Sequence, residues 1–316
     1  MSNLLRQVPR HLQQTRANST PILAAESARA YCAHLLSTHD QASSLLTTFH
    51  PPSTRDAHLA LRAFNLEIAL IDTSTRTPAL ATLRLQFWRD TINKLFKPNT
   101  PPPAEPIATL LHHCIHSLGA PLSKSFLLKL LATRERYLGD KPFATLDELE
   151  SYAEGTYGSL QYLALEAAHV QEAKLDHVGS HIGKACGIVA VLRGVHIGVK
   201  RGQGSVVLPI QVCAEAGLRQ EEVLRKGPDA KGLKDAVFTV ATRANDHLIT
   251  ARKMFGETGE QGKQVGAFST FLHAVPASAF LERLEKADFD PFAPVLHRKE
   301  WKLPWRSYRA FSKREF

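Results

Sequence analysis

The amino-acid sequence predicts an all-α fold in a single domain. Three observations carry that prediction. Apolar residues recur at helical spacing through most of the chain, and convincing period-two alternation is absent. Breaks rich in proline and glycine separate the periodic runs, and apart from the N-terminal leader none of them reads as a domain boundary. At 44% hydrophobic and 22% charged over 316 residues, the chain is globular and can bury a substantial core.

The elements follow in order. Residues 1–20 hold Arg6, Arg10 and Arg16, several Ser, Thr and Gln, and no acid; the first is Glu26. Leu4, Leu5, Val8 and Leu12 can share one helical face there. This is the composition of a mitochondrial transit peptide, and a disordered basic leader has the same composition. Thr54 is placed to cap a helix whose apolar face is Leu61, Phe64, Ile68 and Ile71. Pro78 precedes another, with Leu80, Leu83, Phe87, Ile92 and Leu95 as its apolar set. Residues 97–103, with four prolines, form a stop and a loop. Helices are expected over about 106–118 and about 123–138, then a long one from near Thr145 to near His169. Further helices fall at about 175–198, 230–254 and 264–285, with a turn at 202–205 and a polar loop at 256–262. The expected organisation is a leader at 1–20, a helical domain at 21–296 and a basic aromatic tail at 297–316.

Bulk properties narrow the function. No run of eighteen or more apolar residues is present, so no membrane-spanning helix is expected. Cys32, Cys114, Cys186 and Cys213 lack Cys-x-x-Cys pairing and read as scattered thiols. A net charge of +9 favours anionic partners. A nucleic acid is not expected, because no recognised nucleic-acid module accompanies the charge.

Two stretches carry the chemical signal. Val191-Leu192-Arg193, Val195, then Lys200-Arg201-Gly202 and Leu208-Pro209 frame the first, with Gly194 and Gly198 one helical turn apart inside it. The second is 62–72, in which Phe64 and Glu67 precede Ala69, Leu70 and Asp72. Together with Leu83-Arg84-Leu85-Gln86-Phe87-Trp88-Arg89 and the run 147–160, these resemble the squalene and phytoene synthase family over roughly residues 25 to 290. The resemblance implies the isoprenoid-synthase helical fold with a central cavity. In that family the two stretches carry aspartates that hold Mg²⁺ against a departing diphosphate. Mg²⁺ needs hard oxygen ligands, and Asp-x-x-x-Asp on a helix supplies two on one face. The resemblance places Ala69, Leu70, Gly194 and Gly198 where those carboxylates would be. None of the twelve aspartates has another four residues away. Glu150 and Glu154 are so spaced, but at a helix start, where carboxylates complement the dipole and a solvated role is expected.

The expectation is therefore a non-enzyme without cofactor. The similarity of 288–292 and of the tail to the complex I assembly-factor branch of the family implies a mitochondrial protein on the matrix side of the inner membrane. Its implied partners are complex I assembly intermediates or a core membrane subunit. An isoprenoid or lipid in the cavity is a further expectation. Glu67, Asp72, Tyr157, Arg193, Lys200 and Arg201 are the candidates for a residual polar pocket. The alternatives are a prenyl transferase using Mg²⁺ through altered ligands such as Glu67 and Asp72, and a lipid carrier without turnover.

Two other motifs bear on binding. His112, His113, Cys114 and His116 invite a metal, but no second half of a zinc site accompanies them, and a plain histidine-bearing helix face is the better reading. In the tail, Trp301, Trp305 and Tyr308 alternate with Lys302, Arg306 and Arg309. Amphipathic rings with cations beside them suit an anionic membrane surface. They also suit a terminal helix packed on the core, and both roles can hold at once.

Overall fold

The computed structural model of the protein describes residues 10–75, 77–98, 100–101, 103–139, 141–200 and 207–316, with side chains from residue 23 and excluding 198–200. Among the described residues there are sixteen α-helices and no strand. They are α1 (Arg10–His39), α2 (Gln41–Leu46), α3 (Pro52–Ser74), α4 (Pro78–Leu95), α5 (Pro106–His116), α6 (Lys124–Arg136), α7 (Leu146–Ala153) and α8 (Ser159–Ala167). Then come α9 (Ala173–Lys200), α10 (Ile210–Glu215), α11 (Gln220–Lys226), α12 (Leu233–Gly256), α13 (Gly259–Lys263), α14 (Val265–Phe271), α15 (Ala274–Lys286) and α16 (Leu303–Lys313). A π-helical turn, Glu154–Gly158, joins α7 to α8 without a break.

Local chemistry sets the starts. Thr77 accepts a hydrogen bond from the backbone N–H of Leu80, Glu105 from Ala108 and Thr145 from Glu148. Each satisfies one of the donors a helix leaves open at its first turn. Pro78 and Pro106 begin their helices, where a missing N–H is harmless. The expected Thr54 cap is displaced. Pro51 is the cap residue, α3 starts at Pro52, and Thr54 is buried inside the first turn. The run expected at 264–285 is two helices, α14 and α15. The loop expected at 256–262 contains the short α13.

Two cores meet along the middle. The first gathers Phe64, Leu85, Trp88, Ile92, Leu111 and Leu130 from α3, α4, α5 and α6, closed by Cys32 and Leu36 of α1. The second gathers Leu149, Ile182, Ile188, Val240, Phe268, Phe271 and Phe280 from α7, α9, α12, α14 and α15. Helix α9 is the centre of the second core, lying along α12 and against α7, α8 and the π turn. Ala173–Ile197 is long and apolar enough to cross a membrane by composition alone, but here it is a packing centre inside the fold.

The apolar face of α4 differs from expectation. Ala81, Leu85, Trp88, Ile92 and Leu95 face the core, while Leu80, Leu83 and Phe87 are exposed. Spacings of three and four residues allow either line. The line with the larger Trp88 and the small Ala81 is the one that fits against Phe64, whose ring meets Trp88 edge-on at 5.2 Å.

The ends also join the body. The boundary expected at residue 20 falls within α1, which runs from Arg10 without interruption. Residues 1–9 lie outside the described residues. The tail expected to begin at 297 packs back: Ser307 and Ala310 are buried, and the Phe311 ring lies 5.3 Å from Phe49.

Glycine permits the close passage of α9 across the π turn. A Cβ at Gly183 would lie 2.5 Å from Gly158 Cα, and one at Gly187 would lie 2.5 Å from Ala153 Cβ. At Gly194 a Cβ would meet nothing within 4 Å. Gly183→Ala is predicted to destabilise by about 1–3 kcal/mol through overpacking. Gly194→Ala is predicted to stabilise by about 0.5–1 kcal/mol through helix propensity. Urea unfolding of both variants checks the contrast; equal effects contradict the packing just described.

Candidate functional site

A polar cluster occupies the junction between the two cores. Asp40 caps α2, accepting from the N–H of Ser43 at 3.1 Å and from its hydroxyl at 2.6 Å. Arg62 of α3 reaches back to the same pair, donating to Ser43 Oγ at 2.8 Å and meeting Asp40 at 3.4 Å. The face of its guanidinium lies over the Tyr157 ring at 5.7 Å. Burial alone would raise the Asp40 carboxyl; Arg62 and Ser43 together bring it below its ordinary value. The charge is held because it is paired and hydrogen-bonded.

Three histidines stack beside that pair. The His50 and His58 rings are 4.0 Å apart, and His58 and His273 are 5.4 Å apart. All three are buried. His58 Nε2 lies 3.1 Å from the Ser43 carbonyl, which can only accept, so that nitrogen carries the proton. Burial, reinforced by the Arg62 charge, lowers His58 from 6.5 to about 4. It also lowers His50 and His273 well below their ordinary value, and there the neighbouring histidines add to the effect. The centre of the molecule therefore holds neutral imidazoles around one ion pair.

Arg193 of α9 approaches this centre from the other side. It lines a cavity of about 730 Å³, together with the C-terminal end of α1, α2, α15, residues 296–300, Leu303 and Pro304. Its guanidinium lies over the Phe280 ring at 4.8 Å and donates to the Pro276 carbonyl at 3.3 Å. Burial lowers its pKa, partly offset by Tyr157 and Asp40.

The other predicted pocket residues go elsewhere. Both Asp72 oxygens accept from the N–H of Gly139 at 3.2 Å, so this carboxylate closes a turn after α6. Glu67 is near Glu105 and Tyr31: the buried Glu105 carboxyl is raised mainly by desolvation and a little by the Glu67 charge. Tyr157 stands under Arg62, not on the cavity wall. Ala69 and Leu70 are half-buried on α3. Arg201 and the side chains of Gly198 and Lys200 lie outside the described residues. Ala69, Leu70 and Gly194 offer no oxygen donor, and among the described residues no three His, Cys, Asp or Glu side chains gather as metal ligands. This donor set does not fit Mg²⁺. His112 and His116 stack on each other at 4.4 Å, and His116 Nε2 meets the Leu95 carbonyl.

Glu150 and Glu154 are not solvated, contrary to expectation. Glu150 pairs with Arg243 and lies 3.3 Å from His247, while His247 Nδ1 and His181 Nδ1 are 2.9 Å apart. Glu154 accepts from Ser180 at 2.8 Å and Tyr162 at 2.5 Å. The two carboxylates lock α7 and the π turn to α9 and α12. The i, i+4 spacing signalled a shared face; it did not show that α9 and α12 cover that face.

The tail presents the arrangement its residues suggest. Trp301, Trp305 and Tyr308 are 80%, 62% and 64% exposed. Lys302 lies over the Trp301 ring at 5.1 Å and Arg309 over Trp305 at 5.6 Å. Arg306 is tied to Glu282 at 2.6 Å, which fixes α16 to α15.

Comparisons with known proteins agree in outline. A profile of the squalene/phytoene synthase family matches residues 36–309. The Bos taurus protein named NADH dehydrogenase (ubiquinone) complex I, assembly factor 6 is 37% identical over 286 residues, covering 90% of this chain and 82% of its own. The Homo sapiens protein of that name is 37% identical over 279 residues, covering 88% and 80%. Among solved structures, a dehydrosqualene synthase with ligand superposes with a TM-score of 0.74 at 17% identity, over 93% of this chain and 98% of its own. The squalene synthase HpnC of Alicyclobacillus acidocaldarius gives 0.69 at 14% identity, over 85% and 97%. These last two bear on the fold alone.

The histidine cluster yields a pH prediction. In the unfolded chain these imidazoles take up a proton near pH 6.5, and in the folded chain they resist it, so the unfolded state binds more protons between the two values. Stability is then complete above about pH 6.5 and falls toward about pH 4, with His58 alone contributing about 3 kcal/mol over its full shift. Urea midpoints at about pH 7.5 and about pH 5 check this; equal midpoints contradict neutral burial.

Proposed function

The chain belongs to the squalene/phytoene synthase family, and from that premise we propose that it is a non-catalytic assembly factor for respiratory complex I in mitochondria. The observation that carries this reading is the identity of 37% to proteins named complex I assembly factor 6 over 88–90% of the chain. The site agrees with it. By resemblance Ala69, Leu70, Gly194 and Gly198 take the positions of the family's two aspartate motifs, and the Asp40 carboxylate at the polar centre is satisfied by Ser43 and Arg62. A scaffold of this kind keeps the family's shape and gives up its metal. The Mg²⁺-dependent alternative through Glu67 and Asp72 has no support in the geometry, since Asp72 accepts from the Gly139 N–H while Glu67 lies near Glu105.

The tail supplies the second half of the reading. Exposed Trp301 and Trp305 rings with cations lying over them, and exposed Tyr308 beside them, match the interface of an anionic bilayer, and α16 is short enough to lie on that surface and not span it. We assign the protein to the matrix side of the inner membrane as a peripheral protein. There it would meet complex I assembly intermediates or a core membrane subunit.

Loss of the protein is predicted to lower assembled complex I in isolated mitochondria while isoprenoid products stay normal. A fall in isoprenoid products with complex I intact contradicts the reading. Trp301→Ser with Trp305→Ser is predicted to weaken sedimentation with anionic vesicles about tenfold or more. The unfolding midpoint should not move, because both rings are exposed. Unchanged vesicle binding contradicts the membrane assignment.

A further inference from the structure

The cavity beneath the tail combines an apolar part, with Leu45, Leu296 and Leu303, and a cluster of cations. Arg193, Arg283, Arg298 and Lys299 stand on its walls against two carboxylates, Asp40 and Glu300. Both carboxylates are already engaged. Asp40 meets Arg62, and Glu300 meets Arg283 Nε at 3.1 Å. Arg193, Arg298 and Lys299 have no carboxylate in ion-pair range among the described residues, so the cavity carries an excess of positive charge.

Arg193 has an unusual setting. It lies deep among protein atoms, deep enough for burial to lower its pKa, yet its side chain keeps an exposed surface. That surface faces the cavity. Among the described residues its one hydrogen bond, to the Pro276 carbonyl, occupies a single donor of the five a guanidinium carries. The remaining donors face the space where a ligand would enter. A guanidinium on an open cavity wall, with no carboxylate paired to it, favours an anion.

The rim is preformed. Arg283 donates to the Val295 carbonyl at 3.0 Å and to the Arg298 carbonyl at 3.1 Å, besides its pairing with Glu300. These contacts fix residues 295–300 as one wall. The next residue is Trp301, the most exposed aromatic of the tail, and Leu303 and Pro304 line the cavity again. The mouth of the cavity and the aromatic surface of the tail are therefore built from one continuous segment.

We propose that this cavity is a headgroup site for an anionic glycerophospholipid, with Arg193 at its floor and Arg298 and Lys299 at its rim. The acyl chains stay in the bilayer while the phosphate meets the cations; Leu45, Leu296 and Leu303 supply the apolar part of the walls. The phosphate enters between α1 and α15 while Trp301 and Trp305 rest in the interface. The site rests on the membrane part of the proposed function and adds to it a chemical selectivity that charge attraction alone does not give.

The test uses the full chain and a short-chain, water-soluble phosphatidylglycerol, followed by titration calorimetry beside sedimentation with long-chain vesicles. The wild type should bind the short-chain lipid saturably and ignore the matching phosphatidylcholine. Arg193→Gln should weaken that binding about tenfold or more, and Lys299→Gln, at an exposed position that leaves the fold alone, about threefold. Trp301→Ser should leave short-chain binding unchanged. Equal binding of phosphatidylcholine, or no change on both Arg193→Gln and Lys299→Gln, overturns the site. So does displacement by inorganic pyrophosphate at equal concentration, which marks a general phosphate site and not a lipid one. Vesicle capture without short-chain binding overturns the site and leaves the membrane reading standing. Short-chain binding without vesicle capture supports the site and overturns the membrane reading.

Discussion

The close passage of α9 across the π turn is the constraint on which the rest of the structure depends. Gly183 lies against Gly158, and Gly187 against Ala153, with no room for a side chain on either glycine. Only this small-residue contact lets a 28-residue helix run through the second core while touching α7, α8 and α12 at once. Placement of every functional element follows from it. Glu150 and Glu154 reach α12 and α9 because α7 is drawn close. Arg193, three turns beyond Gly183, arrives at the cavity wall for the same reason. The π turn, with its i→i+5 bonding and wider radius, lies at this contact.

The second organising feature is the pairing of Asp40 with Arg62 at the junction of the cores. A family member that handles diphosphate must keep carboxylates free in its centre for metal. Here the central carboxylate is a helix cap and an ion-pair partner, and three neutral histidines fill the adjoining volume. Buried charge of this kind is stable only while fully satisfied. The centre is thus committed to holding the fold, and the open, positively charged space lies to one side, under the tail.

The fold was legible in the sequence for plain reasons. Long periodic runs and Pro-based starts at Pro78 and Pro106 mark most helices, and the family resemblance supplied their arrangement. Some elements were not legible. Leu80, Leu83 and Phe87 satisfy helical periodicity as well as Leu85, Trp88 and Ile92 do, and only the partner surface on α3 decides between them. The short α10, α11 and α13 lack the length for a periodic signal. Within the site, Arg193 and the tail aromatics were recognisable from motif and composition. Asp40, Ser43, His50, His58 and His273 were not, because they come together across more than 200 residues of chain. An Asp three residues before a Ser was the one local sign, and it speaks of a cap, not of an ion pair. Glu67 and Asp72 looked available because nothing in a sequence shows that Gly139 and Glu105 fold beside them.

We propose that this enzyme scaffold performs no prenyl transfer. The most direct test is pyrophosphate release from farnesyl and geranylgeranyl diphosphate by the purified, folded protein, with and without Mg²⁺. The account predicts release no faster than a protein-free blank under both conditions. Mg²⁺-dependent release above that blank would contradict it, and would mean that carboxylates engaged elsewhere in this structure can be recruited to hold the metal.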